Sequence, residues 1–439
     1  MQLQTKVEFT TPKFTIGYSD KIISLGSCFA DNIGNYLKSC QFNILPNPNG
    51  VIYNPISVLN TLQSIRANKE YKADSLVESG GLFHSMYHHG DFSKRTAEET
   101  INCIGEGSRI AHEMWDKCSL LLITFGTAWV YQYKTTGNVV ANCHKLPASN
   151  FERRMVTVEE IVELWQKEIE DIIAERPNIK IIFTVSPIRH WKDGAHGNQT
   201  SKATLLLAID KLVKQFHNVE YFPAYEIVMD ELRDYRFYAE DMLHPSQVAI
   251  EYIKECFCKQ FMDQPSLKII SSVEKYSKAV SHRPLHPESE EWQKFLKKRE
   301  EQAKELAIEL LHASNASCII LNNNKFHYFT ERGIKDLYNL YKNRPEILKN
   351  SFIADKVVGK GAAALMALGE ISELYTDIIS EKAVKMLQKC KIIHSFAKQV
   401  PYIINRAGNG MCPVETLCSE IETPEECLTQ IESFINKNR

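Results

Sequence analysis

Short apolar runs alternate with amphipathic stretches along the N-terminal part of the chain. Three runs have the continuous apolar character of strands that are buried on both faces, and they cover Lys21–Leu25, Ser119–Phe125 and Lys180–Val185. Helical periodicity predicts helices over Phe29–Cys40, Thr157–Arg176, Ser201–Phe216 and Ser246–Phe261. This alternation predicts an α/β domain with a parallel sheet that is covered by helices on both faces.

The pattern changes near Asp263, where prolines interrupt the periodicity and a highly charged stretch follows. Residues 263–312 are therefore expected to form a linker and a solvated, charged helix. A second alternation of strands and helices begins beyond them, with strands at Cys318–Leu321, Phe326–Phe329, Phe352–Val357 and Leu374–Ile378 and helices at Gly333–Asn343, Lys360–Gly369 and Glu381–Cys390. We expect an N-terminal domain over residues 1–312 and a smaller α/β domain over residues 313–439.

Composition narrows the class of protein. The 439 residues carry a formal net charge of −2, which gives no electrostatic footprint for nucleic acid or for an anionic membrane surface. No apolar stretch approaches the roughly 20 residues that span a bilayer, and the N-terminal residues lack a signal-peptide pattern. The 12 cysteines are scattered without metal-ligand spacing, so we expect reduced thiols and a cytoplasmic protein.

The first strand ends in KIISLGSCFA, where a glycine is followed by two potential nucleophiles, Ser27 and Cys28. A helix is predicted to begin at this point, and a helix N-terminus offers unpaired N–H groups and partial positive charge. Such a site can activate a thiol or a hydroxyl and can stabilise an oxyanion. The tripeptide alone leaves open which of the two side chains attacks.

A second motif lies far downstream, in YAEDMLHPSQ, just before the last helix of the domain. Asp241 and His244 are three residues apart there, and this spacing allows the carboxylate to hold the imidazole in one tautomer. The chain order of nucleophile, aspartate and histidine resembles that of the SGNH (GDSL-type) hydrolases and acyltransferases. Five longer strings, in order, resemble one branch of that superfamily, the GSCFA family, over about residues 5–300: SLGSCFADNIG, TFGTAWVY, VVANCHKLP, TVSPIRHWKDGAHGNQTSKATL and YFPAYEIVMDELRDYRFYAEDMLHPS.

The resemblance implies a role for each residue of the two motifs. Aligned on Gly26, Cys28 takes the nucleophile position and Ser27 becomes the neighbour that caps the helix, with Ser27 retained as the alternative nucleophile. His244 would be the base and Asp241 the residue that orients it. A cysteine at this place implies a thioester intermediate, so that acyl transfer becomes as plausible as hydrolysis.

The resemblance also implies an oxyanion hole, for which Gly50 and Asn142 are the candidates. The chain departs from the superfamily at its third block, because Ala128 stands where an asparagine is expected.

Four further residues are candidates for substrate binding. Arg189 and His190 follow Ser-Pro at the carboxyl end of a predicted strand, where α/β sheets bind ligands, and the adjacent pair His144 and Lys145 ranks below them.

The C-terminal segment resembles a bacterial domain of unknown function with a cytidine-deaminase-like fold. Zinc deaminases of that fold need a His-x-Glu-type motif and Pro-Cys-x-x-Cys. The first is absent from Ala354-Asp355-Lys356, and the second is reduced to Cys412-Pro413-Val414-Glu415, so we expect no metal.

The resulting expectation is an SGNH-like acyl-ester hydrolase that acts on a carbohydrate or a small metabolite through Cys28, His244 and Asp241. One alternative is an acetyltransferase that uses coenzyme A as co-substrate in polysaccharide modification, as implied by similar SGNH-like bacterial proteins. The other is a non-catalytic ligand-binding protein. We expect no resident cofactor, no nucleic-acid partner and no membrane partner, and the oligomeric state is left open.

Overall fold

The computed structural model describes residues 5–331, 333–405 and 407–437. They form two compact units, which divide between Leu267 and Lys268. The strands of the first unit are β1 Lys21–Gly26, β2 Asn43–Pro46, β3 Val77–Ser79, β4 Leu82–His84, β5 Leu120–Phe125, β6 Trp129–Tyr133, β7 Val139–Val140, β8 Phe151–Met155, β9 Lys180–Val185 and β10 Val219–Phe222. Its helices are α1 Cys28–Ser39, α2 Pro55–Arg66, α3 Ala97–Trp115, α4 Val158–Glu175, α5 Gly194–Gln215, α6 Ala224–Glu226 and α7 Gln247–Phe261.

A five-stranded parallel sheet in the order β10-β9-β5-β1-β2 is the centre of the first unit. Ile23, Leu121 and Ile181 pair across neighbouring strands and share a core with helices α2 to α5. The alternate positions of the same strands face Phe29 of α1 and Phe257 of α7. The predicted three-layer α/β/α arrangement is therefore confirmed.

The three strands predicted for this sheet are confirmed within one residue at either end. The short strands β2 and β10 were not predicted, and neither was the antiparallel sheet β7-β6-β8. That small sheet lies in the segment after β5, so its residues follow directly from the carboxyl end of a central strand. Several predicted site residues also follow the carboxyl ends of parallel strands: Ser27 and Cys28 follow β1, and Arg189 and His190 follow β9.

Helix α8, Gln264–Ser281, crosses the division between the two units. The second unit continues with α9 Glu290–Ala313, β11 Cys318–Asn322, β12 Lys325–Phe329, α10 Lys335–Asn343, β13 Phe352–Val358, α11 Lys360–Leu368, β14 Glu373–Ser380, α12 Glu381–Lys389, β15 Ile393–Val400, α13 Pro413–Cys418 and α14 Pro424–Lys437. Its sheet has the order β12-β11-β13-β14-β15, with β11 antiparallel to both neighbours and the last three strands parallel. A second, smaller α/β unit was predicted and is present.

The segment 263–312, predicted to be a linker and a charged helix, holds two helices, α8 and α9. The compact units divide at Leu267, earlier than the predicted domain boundary at residue 312. The physical reason lies in α9, which buries Leu306 and Leu310 and packs against β11 and β13 of the second unit. In the part of the chain that the structure describes, no helix combines the length and the apolar character needed to cross a bilayer.

Candidate active site

The turn from β1 into α1 sets the position of the candidate nucleophile. Gly26 has a φ of 137°, and a Cβ atom there would lie 2.1 Å from the carbonyl oxygen of Thr124, so only glycine fits. Ser27 is the N-cap of α1, and its Oγ accepts a hydrogen bond from the N–H of Phe29 at 3.2 Å. The predicted capping role of Ser27 is confirmed. Cys28 is the first residue of the helix.

Cys28 lines a cleft of about 470 Å³ at the carboxyl end of the sheet. Its Sγ lies 3.5 Å from the hydroxyl oxygen of Tyr53, a residue that the sequence did not single out. Burial, together with the hydrogen bond to Cys28, raises the pKa of Tyr53 well above its usual value. Tyr53 therefore stays protonated and can donate to the sulfur or to a bound oxygen.

His244 lines the same cleft and is held from behind by Asp241. The imidazole Nδ1 lies 2.5 Å from Asp241 Oδ2, while Oδ1 accepts from the N–H groups of Leu243 and His244 at 2.9 Å each. These hydrogen bonds lower the pKa of Asp241 to about 2. The carboxylate is thus ionised at neutral pH and fixes the proton of His244 on Nδ1, which leaves Nε2 as the basic nitrogen.

Arg189 supports the loop that carries this pair. Its guanidinium donates to the carbonyl oxygen of Met242 and lies 4.8 Å from the centre of the Tyr238 ring. Met242 has a φ of 59°, a left-handed conformation that is unfavourable for a long side chain. The contact with Arg189 therefore stabilises a strained turn between Asp241 and His244.

His190, predicted with Arg189 as a substrate-binding residue, also lines the cleft. The backbone N–H of His190 donates to Asn198 Oδ1 at 3.0 Å. Its ring packs edge-to-face against the Tyr53 ring, with 5.6 Å between the ring centres. Burial lowers the pKa of His190 to about 4, and the nearby Lys202 contributes to the shift. This imidazole is neutral at physiological pH.

Lys202 lies beneath the cleft and is fully buried. Its ammonium donates to the carbonyl oxygens of Gly126 and Ser186 at 2.6 Å each. These two residues directly follow β5 and β9, so one side chain ties together the ends of adjacent strands. Burial lowers the pKa of Lys202 to about 7. Nothing in the sequence around Lys202 signals its backbone partners, which only the fold brings near.

The two candidates for the oxyanion hole separate in the structure. Asn142 lines the cleft, and its Oδ1 accepts from the N–H of His144 at 2.9 Å, which directs the amide Nδ2 elsewhere. Gly50 does not line the cleft; its N–H donates to the carbonyl oxygen of Asn47 at 2.7 Å and closes a turn. Gly50 was proposed from its place in the chain order, which does not report where an N–H points.

Ala128, at the position of the expected asparagine, is buried, and its N–H donates to Ser201 Oγ at 2.7 Å. Among the described residues, the N–H of Cys28 has no acceptor, as expected at the first residue of a helix.

His144 and Lys145 do not line the cleft. The Nε2 atom of His144 lies 2.8 Å from the carbonyl oxygen of Ser85, and the ring stacks on His84 at 4.5 Å. Both His144 and Lys145 have positive φ, so they form a turn. Their predicted contribution to substrate binding is not supported by this placement.

Aromatic and charged side chains that were not predicted complete the cleft. Arg153 lies 4.2 Å from the centre of the Trp129 ring and pairs with Asp193. Lys192 donates to the Tyr131 hydroxyl at 3.0 Å. These residues come from β6, β8 and the segment before α5, which are adjacent only after folding.

Comparison with known protein families assigns different parts of the chain to different family models. A model described as the GSCFA family matches residues 21–257, one described as the GSCFA domain protein, C-terminal domain, matches residues 273–315, and one described as a domain of unknown function (DUF1893) matches residues 306–435. No curated protein matches the chain.

Three solved structures are similar to parts of the chain. A DUF1893 family protein from Thermotoga maritima is 24% identical over 35% of this chain and 95% of its own, with a TM-score of 0.26. A carbohydrate esterase family 3 structure from Talaromyces cellulolyticus is 10% identical over 58% of this chain and 99% of its own, with a TM-score of 0.27. A family two carbohydrate esterase from Clostridium thermocellum, in complex with cellohexaose, is 11% identical over 60% of this chain and 66% of its own, with a TM-score of 0.24.

The GSCFA model covers more than half of the 439 residues and includes both Cys28 and His244. The chain belongs to the GSCFA family.

Proposed function

We propose that the first unit is an acyl-ester hydrolase that uses Cys28 as nucleophile, His244 as base and Asp241 as the group that orients the base. One observation carries the proposal: Cys28, at a helix N-terminus, and His244, held by Asp241, line a single cleft. The three residues come from opposite ends of the unit, about as far apart in sequence as β1 and α7. Their presence in one cleft supports a chemical role for the site.

The reaction has two steps. In the first, His244 Nε2 takes the thiol proton, Sγ attacks the acyl carbon, and the ester C–O bond breaks as the proton passes to the leaving alcohol. In the second, His244 takes a proton from water as the water attacks the thioester, and the C–S bond then breaks as His244 gives that proton to the sulfur, which releases the acid and restores the thiol. Asp241 remains ionised throughout and stabilises the imidazolium.

Three donors are available to the oxyanion. The Cys28 N–H opens α1 without an acceptor among the described residues, Asn142 lines the cleft and keeps its amide Nδ2 as a donor, and Tyr53 carries a protonated hydroxyl beside the sulfur. Donors of this kind lower the barrier when they lie close to the developing charge.

The leaving group is proposed to be a hydroxyl of a carbohydrate or a small metabolite. The Trp129 and Tyr131 rings line the cleft together with polar and charged groups, among them Arg153, which lies over both rings. Ligand pockets commonly combine aromatic side chains with a few polar groups. Such a lining suits a polar molecule that carries an apolar acyl group.

Acetyl transfer from coenzyme A is the second candidate, since a thioester intermediate is open to attack by an alcohol as well as by water. The observation that favours it is that three cationic side chains, Arg153, Arg189 and Lys192, line the cleft, since phosphate groups bind side chains of this kind. A non-catalytic binding role is favoured instead by the sulfur contact, because the hydrogen-bond partner of Cys28 Sγ in the described residues is Tyr53 and not His244.

Hydrolysis of 4-nitrophenyl acetate at pH 7 tests the proposal. We expect Cys28→Ala to lower kcat/KM at least about 100-fold, as removal of a nucleophile does. Cys103→Ala is the matched control, because Cys103 is also half-buried and lies outside the cleft, and it should keep full activity. Equal activity of the two variants would contradict the proposal. Release of free coenzyme A from acetyl-coenzyme A, measured with and without an added alcohol, separates transfer from hydrolysis.

A further inference from the structure

A second cavity lies beside the catalytic cleft and has no role in the chemistry proposed above. It has a volume of about 740 Å³ and is lined by residues of α2, of the loop after it and of the segment around β7. Ala141 lines both this cavity and the catalytic cleft. The two are also joined by a backbone hydrogen bond, in which His89 of the cleft donates its N–H to the carbonyl oxygen of Asn49 of the second cavity. A ligand in the second cavity therefore lies within reach of the catalytic cleft.

The inner wall of this cavity presents polar groups without protein partners. Asn49 and Thr61 are each only 3% exposed, yet neither side chain makes a hydrogen bond among the described residues. Asn60, next to Thr61 on α2, is half-buried, and its side-chain amide makes no hydrogen bond among the described residues. The polar atoms of the Asn49 and Thr61 side chains are accessible from the cavity and make no hydrogen bond with the described residues, so they are free to bind a ligand there.

The chemistry of the wall selects the ligand. Amides and hydroxyls both donate and accept hydrogen bonds, which matches the hydroxyl groups of a sugar. Among the described residues that line the cavity, the charged ones are Lys69 and Glu70, and both are exposed. The ammonium of Lys69 lies over the rings of Tyr71 and Tyr87, at 5.3 and 5.4 Å from their centres. The opposite charges balance, so the cavity offers no excess of positive charge for an anion.

We propose that this cavity binds a neutral oligosaccharide, which is the part of the ester substrate that extends away from Cys28. The inference rests on the proposed function of the cleft and adds the class of the leaving group. Asn49, Asn60 and Thr61 would bind sugar hydroxyls, and the shared wall at Ala141 would direct the acylated sugar towards the nucleophile.

Isothermal titration calorimetry on the full chain carrying Cys28→Ala tests the binding without any turnover. The probes are cellohexaose, xylohexaose and chitohexaose as neutral chains, and an oligogalacturonate as the anionic comparison. We expect at least one neutral chain to bind, and Asn60→Ala and Thr61→Val to weaken its Kd about three- to tenfold each, since each removes one or two hydrogen bonds. The exposed Asn178, outside both cavities, provides the matched control Asn178→Ala, which should leave Kd unchanged.

The inference is overturned if no neutral chain binds, if the oligogalacturonate binds more tightly than all of them, or if the cavity variants bind as the control does. Thermal unfolding of each variant identifies any loss of fold, and Thr61→Val preserves the shape of the side chain. In the chain with Cys28 intact, the control Asn178→Ala should leave hydrolysis of 4-nitrophenyl acetate unchanged. Absence of that hydrolysis would count against the proposed function alone, because the binding experiment does not depend on it.

Discussion

His244 Nδ1 lies 2.5 Å from Asp241 Oδ2, and the same carboxylate also accepts the backbone N–H groups of residues 243 and 244. One aspartate therefore fixes both the fold of the loop and the orientation of the ring. The pair is about half exposed, so it owes its geometry to these hydrogen bonds and not to burial. Substitution of either residue should therefore leave the packing of the core intact.

Asp241→Asn should lower kcat for ester hydrolysis by about 100-fold or more, because the amide no longer fixes the proton on Nδ1 or stabilises the imidazolium. The pKa of Asp241 is held at about 2, below the usual carboxyl value. The ionised carboxylate is therefore fully present at any pH above the usual carboxyl pKa, and it is lost only as the pH falls towards 2. Asp241 should consequently produce no loss of activity on the acid side of the pH profile above about pH 4. An unchanged kcat in the variant would show that the pair is structural.

Arg189→Met should lower kcat about tenfold with a smaller effect on KM, because the loop between Asp241 and His244 loses its support at Met242. Amide hydrogen exchange of residues 238–244 should become faster in the same variant. Arg233→Met is the control, since the Arg233 side chain is 79% exposed and contacts its own helical turn. A rise in KM with kcat and exchange unchanged would assign Arg189 to substrate binding instead.

Lys202→Met should lower the free energy of unfolding by about 2–4 kcal/mol, because two buried carbonyl oxygens lose their donor and each costs about 1–3 kcal/mol. Methionine keeps most of the volume of the side chain, so the change isolates the ammonium. Urea denaturation measures the difference, with Lys211→Met on the exposed face of α5 as the control. Equal stabilities of the two variants would mean that the strand ends are held by other contacts.

Acid should destabilise the first unit through His88. This ring is buried, and burial lowers its pKa from 6.5 to about 4. Below pH 6.5 the unfolded chain binds a proton that the folded chain rejects, so stability is fully present above pH 6.5 and falls by roughly 3 kcal/mol as pH reaches 4. His88→Gln should flatten this part of the stability–pH curve.

The exposed His217 supplies the control for that experiment, and His217→Gln should leave the slope in place. Denaturant midpoints measured between pH 7 and 4.5 give the slopes. If His88→Gln and the unsubstituted chain show the same slope over that range, the buried ring does not titrate as described.

The candidate residues that the sequence predicts are those marked by a local pattern. Cys28 follows a buried strand at the start of a helix, and His244 follows Asp241 at a fixed spacing, and the structure places both residues in one cleft. Tyr53 and Lys202 were missed as central residues because their partners are a sulfur and two carbonyl oxygens that only the fold brings near.

The same reasoning accounts for the differences in the fold. Central strands such as β5 are buried on both faces and have a continuous apolar sequence, which is a strong signal. Strand β15, by contrast, is an edge strand whose residues are mostly exposed, so its sequence lacks that pattern and it was not predicted.

The most direct test of the activated thiol is site-resolved alkylation with iodoacetamide at pH 7, followed by mass spectrometry. Cys103 and Cys143 are the internal references, because they lie in the same unit and are half-buried like Cys28. We expect Cys28 to react faster than both references and to slow to their level in His244→Gln, since the imidazole would no longer remove the thiol proton. A Cys28 that reacts no faster than Cys103 and Cys143, or whose rate is the same in His244→Gln, would contradict the catalytic assignment.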